Sequence, residues 1–299
     1  MKKLLLIAAL LGCFSALRAE DSYMAKLYSA AEKGDAESQF LLGFRYYCGY
    51  GVKFDREESM KWLEKAAARN HVEAQALVAV ERGDPRRAFG LVAKGAGEGR
   101  IWSQLLCGIF CENGIGTEKN FAEAEKWYRL AAERGMPEAQ YALGECCARG
   151  DGVTRRPAEA VKWYRLAAAQ GSPFAQYELG DCFFRGDGVN ANHVEAVKWY
   201  RLAAEQEHVS AQFELGVCYE FGYGVKGNLS EAVKWYRRSA ENGHFRAPFT
   251  LGRLYENGRG VPKDLEKAAY WYRKAAEKGD TRGAEALKKI AEEKKRSRK

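Results

Sequence analysis

Trp127, Trp163, Trp199, Trp235 and Trp271 stand 36 residues apart, each from the next. A fixed period of roughly 20 to 50 residues marks a stack of similar supersecondary units, each too small to bury its own apolar face. A second ladder keeps the same step: Gly108, Gly144, Gly180, Gly216 and Gly252, each but the first preceded by Leu. Gly43 and Trp62 begin an earlier copy, and the pattern predicts about seven units.

Within a unit, Ala175, Leu179 and Phe183 fall at i, i+4 and i+8, one face of a first helix, helix A. It stops at Gly186-Asp187-Gly188-Val189, where glycine permits the positive φ of a helix end and tight turn. Helix B opens seven residues before the tryptophan position on Asp55, Asn120, Asn192, Asn228 or Asp264, whose side-chain oxygen caps free backbone N–H groups. The fourth unit has Arg156 there, and Pro157 favours the first turn instead. Trp199-Tyr200-Arg201-Leu202-Ala203-Ala204 then sets large rings beside small alanines, so that neighbouring helices interlock. On this reading Trp199 is a core side chain whose removal costs about 3–5 kcal/mol.

The Trp-Tyr-Arg-x-Ala-Ala and Leu-Gly-x-x-Tyr-x-x-Gly-x-Gly-Val patterns resemble the Sel-one-like repeat (SLR), a relative of the tetratricopeptide repeat, over residues 22 to about 287. The resemblance implies an all-α fold, a right-handed α-solenoid of about seven helix-turn-helix repeats, in a family used mainly as scaffolds and adaptors. It implies no particular partner. Some cysteine-rich members are secreted and associated with penicillin binding and weak β-lactamase activity; their pattern of two cysteines eight residues apart is not found here.

The second repeat departs from the period. From Ala79, at the glycine position, to Gly108 is 29 residues, so the A-to-B loop is deleted, Gly83-Asp84-Pro85 must turn the chain, and Leu91 replaces the tryptophan. Gly90, Gly95, Gly97 and Gly99 weaken helix B by about 0.5–1 kcal/mol each where interior. A bend or flexible joint is expected near residues 83–100.

Residues 1–19 read as a secretory signal: Met1-Lys2-Lys3, an apolar run from Leu4 to Leu11, and Ala16-Leu17-Arg18-Ala19 before Glu20, with cleavage after Ala19. The run is too short to remain as a transmembrane helix, and no later segment has the length or apolarity to span a membrane. A periplasmic or secreted protein is expected. A competing reading takes Leu10-Leu11-Gly12-Cys13 as a lipobox and Cys13 as a lipid-anchored first residue, although Leu11 departs from the usual pattern. The mature chain divides into a half-hairpin at 22–35, the repeats through 287 with the shortened one at 72–100, and a basic tail at 288–299.

The formal charge of +8 resides at the ends. Lys2, Lys3 and Arg18 meet no acid, and the tail carries seven basic residues against Glu292 and Glu293, which leaves the body balanced. A nucleic-acid reader would place its cations on one binding face, so no nucleic-acid partner is expected.

Gly222-Tyr223-Gly224-Val225-Lys226-Gly227 spells GxGxxG but lacks the strand and βαβ unit of a dinucleotide fingerprint. His71, His208 and His244 share one register after helix B, where other repeats carry Met136, Ser172 and Asp280. Ligands one repeat apart stand roughly 8–10 Å from each other, against about 2 Å for each metal bond, so neither metal nor cofactor is expected. Cys146, Cys182 and Cys218 lie two residues after the glycine, on the face of Ala175 and Leu179, as small core residues. Offset pairs, Cys111 with Cys146 or Cys147 with Cys182, remain open as disulfide staples. No Ser-x-x-Lys, Gly-x-Ser-x-Gly or His-Glu-x-x-His arrangement supplies a nucleophile or a metal-held water, and no catalytic residue is assigned.

What remains is the face of helix A opposite its core side, which by similarity to tetratricopeptide repeats lines a concave groove. Its occupants include Phe40, Phe44, Tyr47, Tyr141, Tyr177, Phe184, Phe213, Phe221 and Phe249, with Glu145, Arg149, Asp181 and Arg185 between them. Aromatics flanked by charges suit a protein or peptide partner. The ring three residues before the glycine has a second reading, packing against the neighbouring helix A; Phe44, Tyr47, Phe184 and Phe221 occupy registers that vary between repeats. The expected function is a non-catalytic exported scaffold, with a β-lactam-binding protein of the cysteine-rich type as the alternative.

Overall fold

A computed structural model describes residues 19–48, 54–151 and 154–296. The two alternatives for the leader, including Cys13, lie outside these residues. Sixteen α-helices and no strand occur among the described residues. After α1 (Ala19–Glu32) the chain runs through seven A/B hairpins: α2 (Ala36–Cys48) with α3 (Arg56–Ala68), α4 (Val72–Glu81) with α5 (Pro85–Gly97), α6 (Ile101–Asn113) with α7 (Phe121–Glu133), α8 (Pro137–Arg149) with α9 (Pro157–Ala169), α10 (Pro173–Arg185) with α11 (His193–Glu205), α12 (Val209–Phe221) with α13 (Leu229–Glu241), and α14 (Ala247–Asn257) with α15 (Leu265–Glu277). α16 (Thr281–Arg296) closes the described chain. The fold class is the expected all-α helical-repeat solenoid.

The helix ends follow from single residues. Asn120, Asn192 and Asn228 each accept a bond from the N–H three residues on, at 3.0 to 3.2 Å, and Asp55 and Asp264 accept two each. Arg156 makes no side-chain cap, and Pro157 begins α9. Gly114, Gly150, Gly222 and Gly258 end helices A in the left-handed region. The second glycine of each turn has a different task. A Cβ on Gly116, Gly188 or Gly224 would strike the backbone of Pro85, Pro157 or His193, the first residue of the preceding helix B. The GxGxxG string is therefore an A-to-B turn pressed against its neighbouring repeat.

The contacts divide the chain into two compact units, one reaching Leu179 together with Asp187–Val189, the other Gly180–Gly186 with the chain from Asn190 onward. In the first, α1 sets Leu27 and Ala31 against Leu42 and Trp62 as a half-hairpin. In the second, α16 buries Ile290 against Tyr255, Ala268 and Tyr272. Within the basic tail that begins at residue 288, Ile290 is thus buried, an apolar residue two turns and more into an amphipathic helix.

The core register also differs from expectation by one residue. Tyr128, Tyr164, Tyr200, Tyr236 and Tyr272 are the large fully buried side chains, whereas Trp127, Trp163, Trp199, Trp235 and Trp271 are half-buried. The ring that lies over the helix A glycine is the tyrosine, and Trp271, only partly buried, packs at the margin of the core clusters. Tyr128 and Tyr236 donate to the buried carboxylates of Glu112 and Glu220, at 2.7 and 2.9 Å. Arg149 and Arg253, each from the following repeat, hold those same carboxylates.

The shortened repeat joins α4 to α5 through Arg82, Gly83 and Asp84, and Asp84 caps Arg87 N–H at 3.1 Å. Within the stretch 83–100 where a bend or flexible joint is expected, α5 itself is an unbroken 13-residue helix. Its glycines are tolerated for identifiable reasons: Gly90 faces open space, and a Cβ on Gly95 would overlap Ser103. That approach lets Ser103 and Arg100 converge on Glu73. Burial would raise the Glu73 pKa, but these donors hold it below the usual carboxylate range.

Candidate functional site

The nine aromatic residues expected to line a groove separate into three groups. Phe40, Tyr141 and Phe213, three residues before the glycine, are buried. Phe40 stacks on His71 with centroids 4.5 Å apart, Phe213 on His244 at 4.4 Å, and Tyr141 meets Phe174 edge-on at 6.0 Å. Their faces are covered by residues at or near the start of the next helix A, so this register builds the contact between repeats. Phe44 and Tyr47 are also buried, Phe44 against Phe40 and Trp102. Tyr177 and Phe249 are half-buried, and the Arg282 guanidinium lies 4.4 Å over the Phe249 ring. As groove-lining rings, the five buried residues are corrected: each is part of the packed interior. Of the intervening charges, Glu145 accepts from Tyr164 at 2.5 Å, Arg149 faces Glu112 and Glu145, and Arg185 pairs with Asp181 at 3.0 Å.

Phe184 and Phe221 form a different arrangement, inside the second unit. Phe184 stacks on His193 at 4.7 Å and meets Tyr223 edge-on at 5.5 Å; Tyr223 in turn stacks on Phe221 at 5.8 Å. These rings occupy the A-to-B edge of two successive hairpins. Phe221 is 55% exposed and Tyr223 39%. Beyond His193, the first residue of α11, the outer face of that helix carries Val194 and Leu202, 54% and 44% exposed. Between them and Val225 is an open depression of about 370 Å³, lined also by Val197, Lys198 and Arg201.

The fold does not require these side chains. In the hairpin of α8 and α9, the registers of Phe184, Phe221, Tyr223, His193 and Val194 hold Ala148, Arg149, Asp151, Pro157 and Ala158. Tyr223, His193, Val194 and Leu202 were not among the nine sequence candidates, since they lie on turns and on helix B. Comparison of registers across repeats singles out Val194 beside Phe221, whereas Leu202 shares its register with Leu130 and Leu166, and Tyr223 shares its own with Ile115. The cations bordering the patch are Lys198, Arg201 and Lys226. Lys198 is paired with Glu195 at 2.5 Å, and Arg201 donates to the Tyr219 hydroxyl at 2.7 Å.

The remaining chemically capable groups are occupied in the interior. His208 accepts from Ala211 N–H at 3.2 Å as a cap, and burial, then the nearby His244, lowers its pKa to about 4. His244 is lowered to about 4 by burial and by Arg246 and Lys278. Cys107, Cys111, Cys146, Cys147 and Cys218 are thiols, so neither offset staple is closed. Burial pushes Cys146 and Cys218 up to about 12 and Cys147 to about 11. Among the described residues no three His, Cys, Asp or Glu side chains are grouped to hold a metal ion, and no helix is long and apolar enough to cross a membrane.

Comparison with known proteins agrees with this geometry. The Sel1 repeat family model matches residues 36–71, 103–136, 137–172, 173–208, 209–244 and 249–280. The shortened repeat falls in the stretch left between the first two matches. The crystal structure of a protective antigen present in uropathogenic Escherichia coli strains, displaying an SLR fold, is 34% identical with a TM-score of 0.67, over 88% of this chain and 58% of that one. A Sel1 repeat protein from Oxalobacter formigenes is 33% identical with a TM-score of 0.66, over 72% of this chain and 86% of that one. The chitin synthase regulator SKT5 of Malassezia restricta is 34% identical over 135 residues, 42% of this chain and 9% of that protein. The chain spans less than a tenth of that regulator and little more than half of the antigen.

Proposed function

The chain belongs to the Sel1 repeat family, and we propose that it is a non-catalytic, exported adaptor that holds a protein partner on the A-to-B edge of its second unit. Sel1 repeats serve generally as protein-interaction scaffolds. The observation that carries the choice of surface is the exposed run of Phe221, Tyr223, Val194 and Leu202, in which Phe221 and Val194 stand at registers that other repeats fill with small or polar residues, while Leu202 shares its register with Leu130 and Leu166. Clustered, exposed rings with low side-chain entropy are what interface anchors are made of, and a contiguous apolar patch on a folded surface marks an interaction site. Export rests on the leader, with cleavage after Ala19.

The test is photocrosslinking in the producing cell with the full chain, its own leader and a C-terminal tag, beside a Phe221→Ser, Tyr223→Ser variant of matched melting temperature. A defined protein crosslinked to the parent and lost in the variant supports the reading. The same adduct in both moves the surface elsewhere, and no adduct with either overturns the adaptor. Amino-terminal sequencing of the exported chain decides between cleavage after Ala19 and a blocked, lipidated Cys13. Turnover of nitrocefin by the purified protein would overturn the non-catalytic assignment.

A further inference from the structure

We propose that the occupant of this edge is an acidic peptide segment of the partner: one aliphatic or aromatic anchor seated between Val194, Leu202 and Val225, with flanking Asp or Glu side chains meeting Arg201 and Lys226. The inference rests on the adaptor reading and adds the chemistry of its ligand. Two observations converge on it. The depression on α11 has apolar walls, Lys198 and Arg201 are among its lining residues, and Lys226 directly follows Val225 in the chain. Arg201 and Lys226 are exposed, and among the described residues neither has a carboxylate within ion-pair distance. The one carboxylate paired with a cation of the patch is Glu195, which Lys198 holds. Arg201 has only its bond to the Tyr219 hydroxyl, so its planar fork is oriented and retains donors for an incoming carboxylate.

Charge also sorts the rival occupants. The leader carries Lys2, Lys3 and Arg18 without an acid, and the far end of the chain is basic, so neither segment complements the rim. A second copy docked about a two-fold axis would set Arg201 and Lys226 against themselves, and like charges juxtaposed across an interface are repelled. An acidic segment meets both requirements of the surface at once.

The experiment uses the full mature chain and two labelled peptides read by fluorescence anisotropy. Both have a central Leu-Phe, one flanked by Glu and Asp, the other by Lys. The acidic probe is expected to bind at least about tenfold more tightly and to weaken severalfold between about 50 mM and about 300 mM salt, as screening requires. Leu202→Ser should weaken it about tenfold through the lost anchor contact. Arg201→Glu with Lys226→Glu should invert the preference toward the Lys-flanked probe, an outcome that partial unfolding cannot produce. Lys226→Glu alone, at an exposed turn residue, should reduce affinity for the acidic probe about threefold. Equal binding of both probes, binding of neither, or an acidic preference that survives the double charge reversal overturns the proposal. If the crosslinked partner of the previous section is retained by the charge-reversed chain, the ligand chemistry fails and the adaptor reading stands.

Discussion

A Cβ built on Gly216 would lie 2.7 Å from Cδ1 of Tyr236, closer than real Cβ contacts come. The helix A glycine is absent of side chain because the tyrosine ring of helix B lies against its backbone, and the same pairing joins Gly144 to Tyr164, Gly180 to Tyr200 and Gly252 to Tyr272. In the first repeat Leu63 takes the place of the ring against Gly43, and in the shortened repeat Ala79 occupies the glycine register and Val92 the tyrosine register, both buried. Volume is exchanged across the hairpin, as close packing demands.

Gly216→Ala should therefore destabilise the protein by about 1–3 kcal/mol, the usual cost of overpacking, although alanine is the better helix former. Gly90→Ala, on an exposed stretch of α5 with nothing within 4 Å, should stabilise it by about 0.5–1 kcal/mol. Denaturant unfolding of the two variants checks this, and equal effects would contradict the pairing.

Tyr200→Ala should cost about 3–5 kcal/mol, because the ring is 1% exposed and its removal leaves a cavity. Trp199→Ala should cost roughly half as much, since that ring is already partly in water. Equilibrium unfolding in which the tryptophan variant is the less stable of the two would restore the register expected from sequence.

These two variants also mark where sequence reading ended. The period, the caps at Asn192 and Asn228, and the turn glycines were legible because each depends on one residue and its near neighbours. Tryptophan and tyrosine are adjacent on helix B, and which one faces the glycine depends on the rotation of a second helix 20 residues away. A helical wheel leaves the rings at Phe40 and Phe213 with two readings, groove lining or contact between repeats, because the covers that decide it, His71 and His244, are 31 residues downstream. Phe184 and Phe221 were named, but Tyr223 and Val194 were not, since one is in a turn and the other belongs to helix B. Proximity across repeats is a property of stacking, which within-helix angles do not contain.

Acidification should weaken the second unit through His208 and His244. Both have folded-state pKa values near 4, below the ordinary 6.5, so the unfolded chain takes up their protons first. Their contribution is intact above about pH 6.5, is lost as pH falls from there to about 4, and is constant below that. For His208, which is almost wholly buried, the loss is about 3 kcal/mol. His208→Ser keeps a cap, since Ser172 at the same register accepts from Ala175 N–H at 3.3 Å. Stability measured against pH should fall less steeply in this window for the variant than for the parent, and parallel curves would refute the assignment.

The thiols supply the last prediction. Cys146, Cys147 and Cys218 have pKa values of about 12, 11 and 12 because burial penalises the thiolate, and Cys107 is raised by its bond with Cys111 as well as by burial. At about pH 8 a thiol of this kind is less than about 0.1% ionised, and the thiolate is the species that reacts. Ellman's reagent should therefore leave these residues unmodified in the native protein over minutes and modify them promptly in guanidinium. The export proposed above would carry the chain into an oxidising compartment, so the comparison also tests whether burial alone preserves them: intact mass after purification without reductant should correspond to free thiols at these positions. A deficit of about two mass units for each pair, removed by reductant, would mean that adjacent repeats are stapled and that the ladder has a covalent role as well as a packing one.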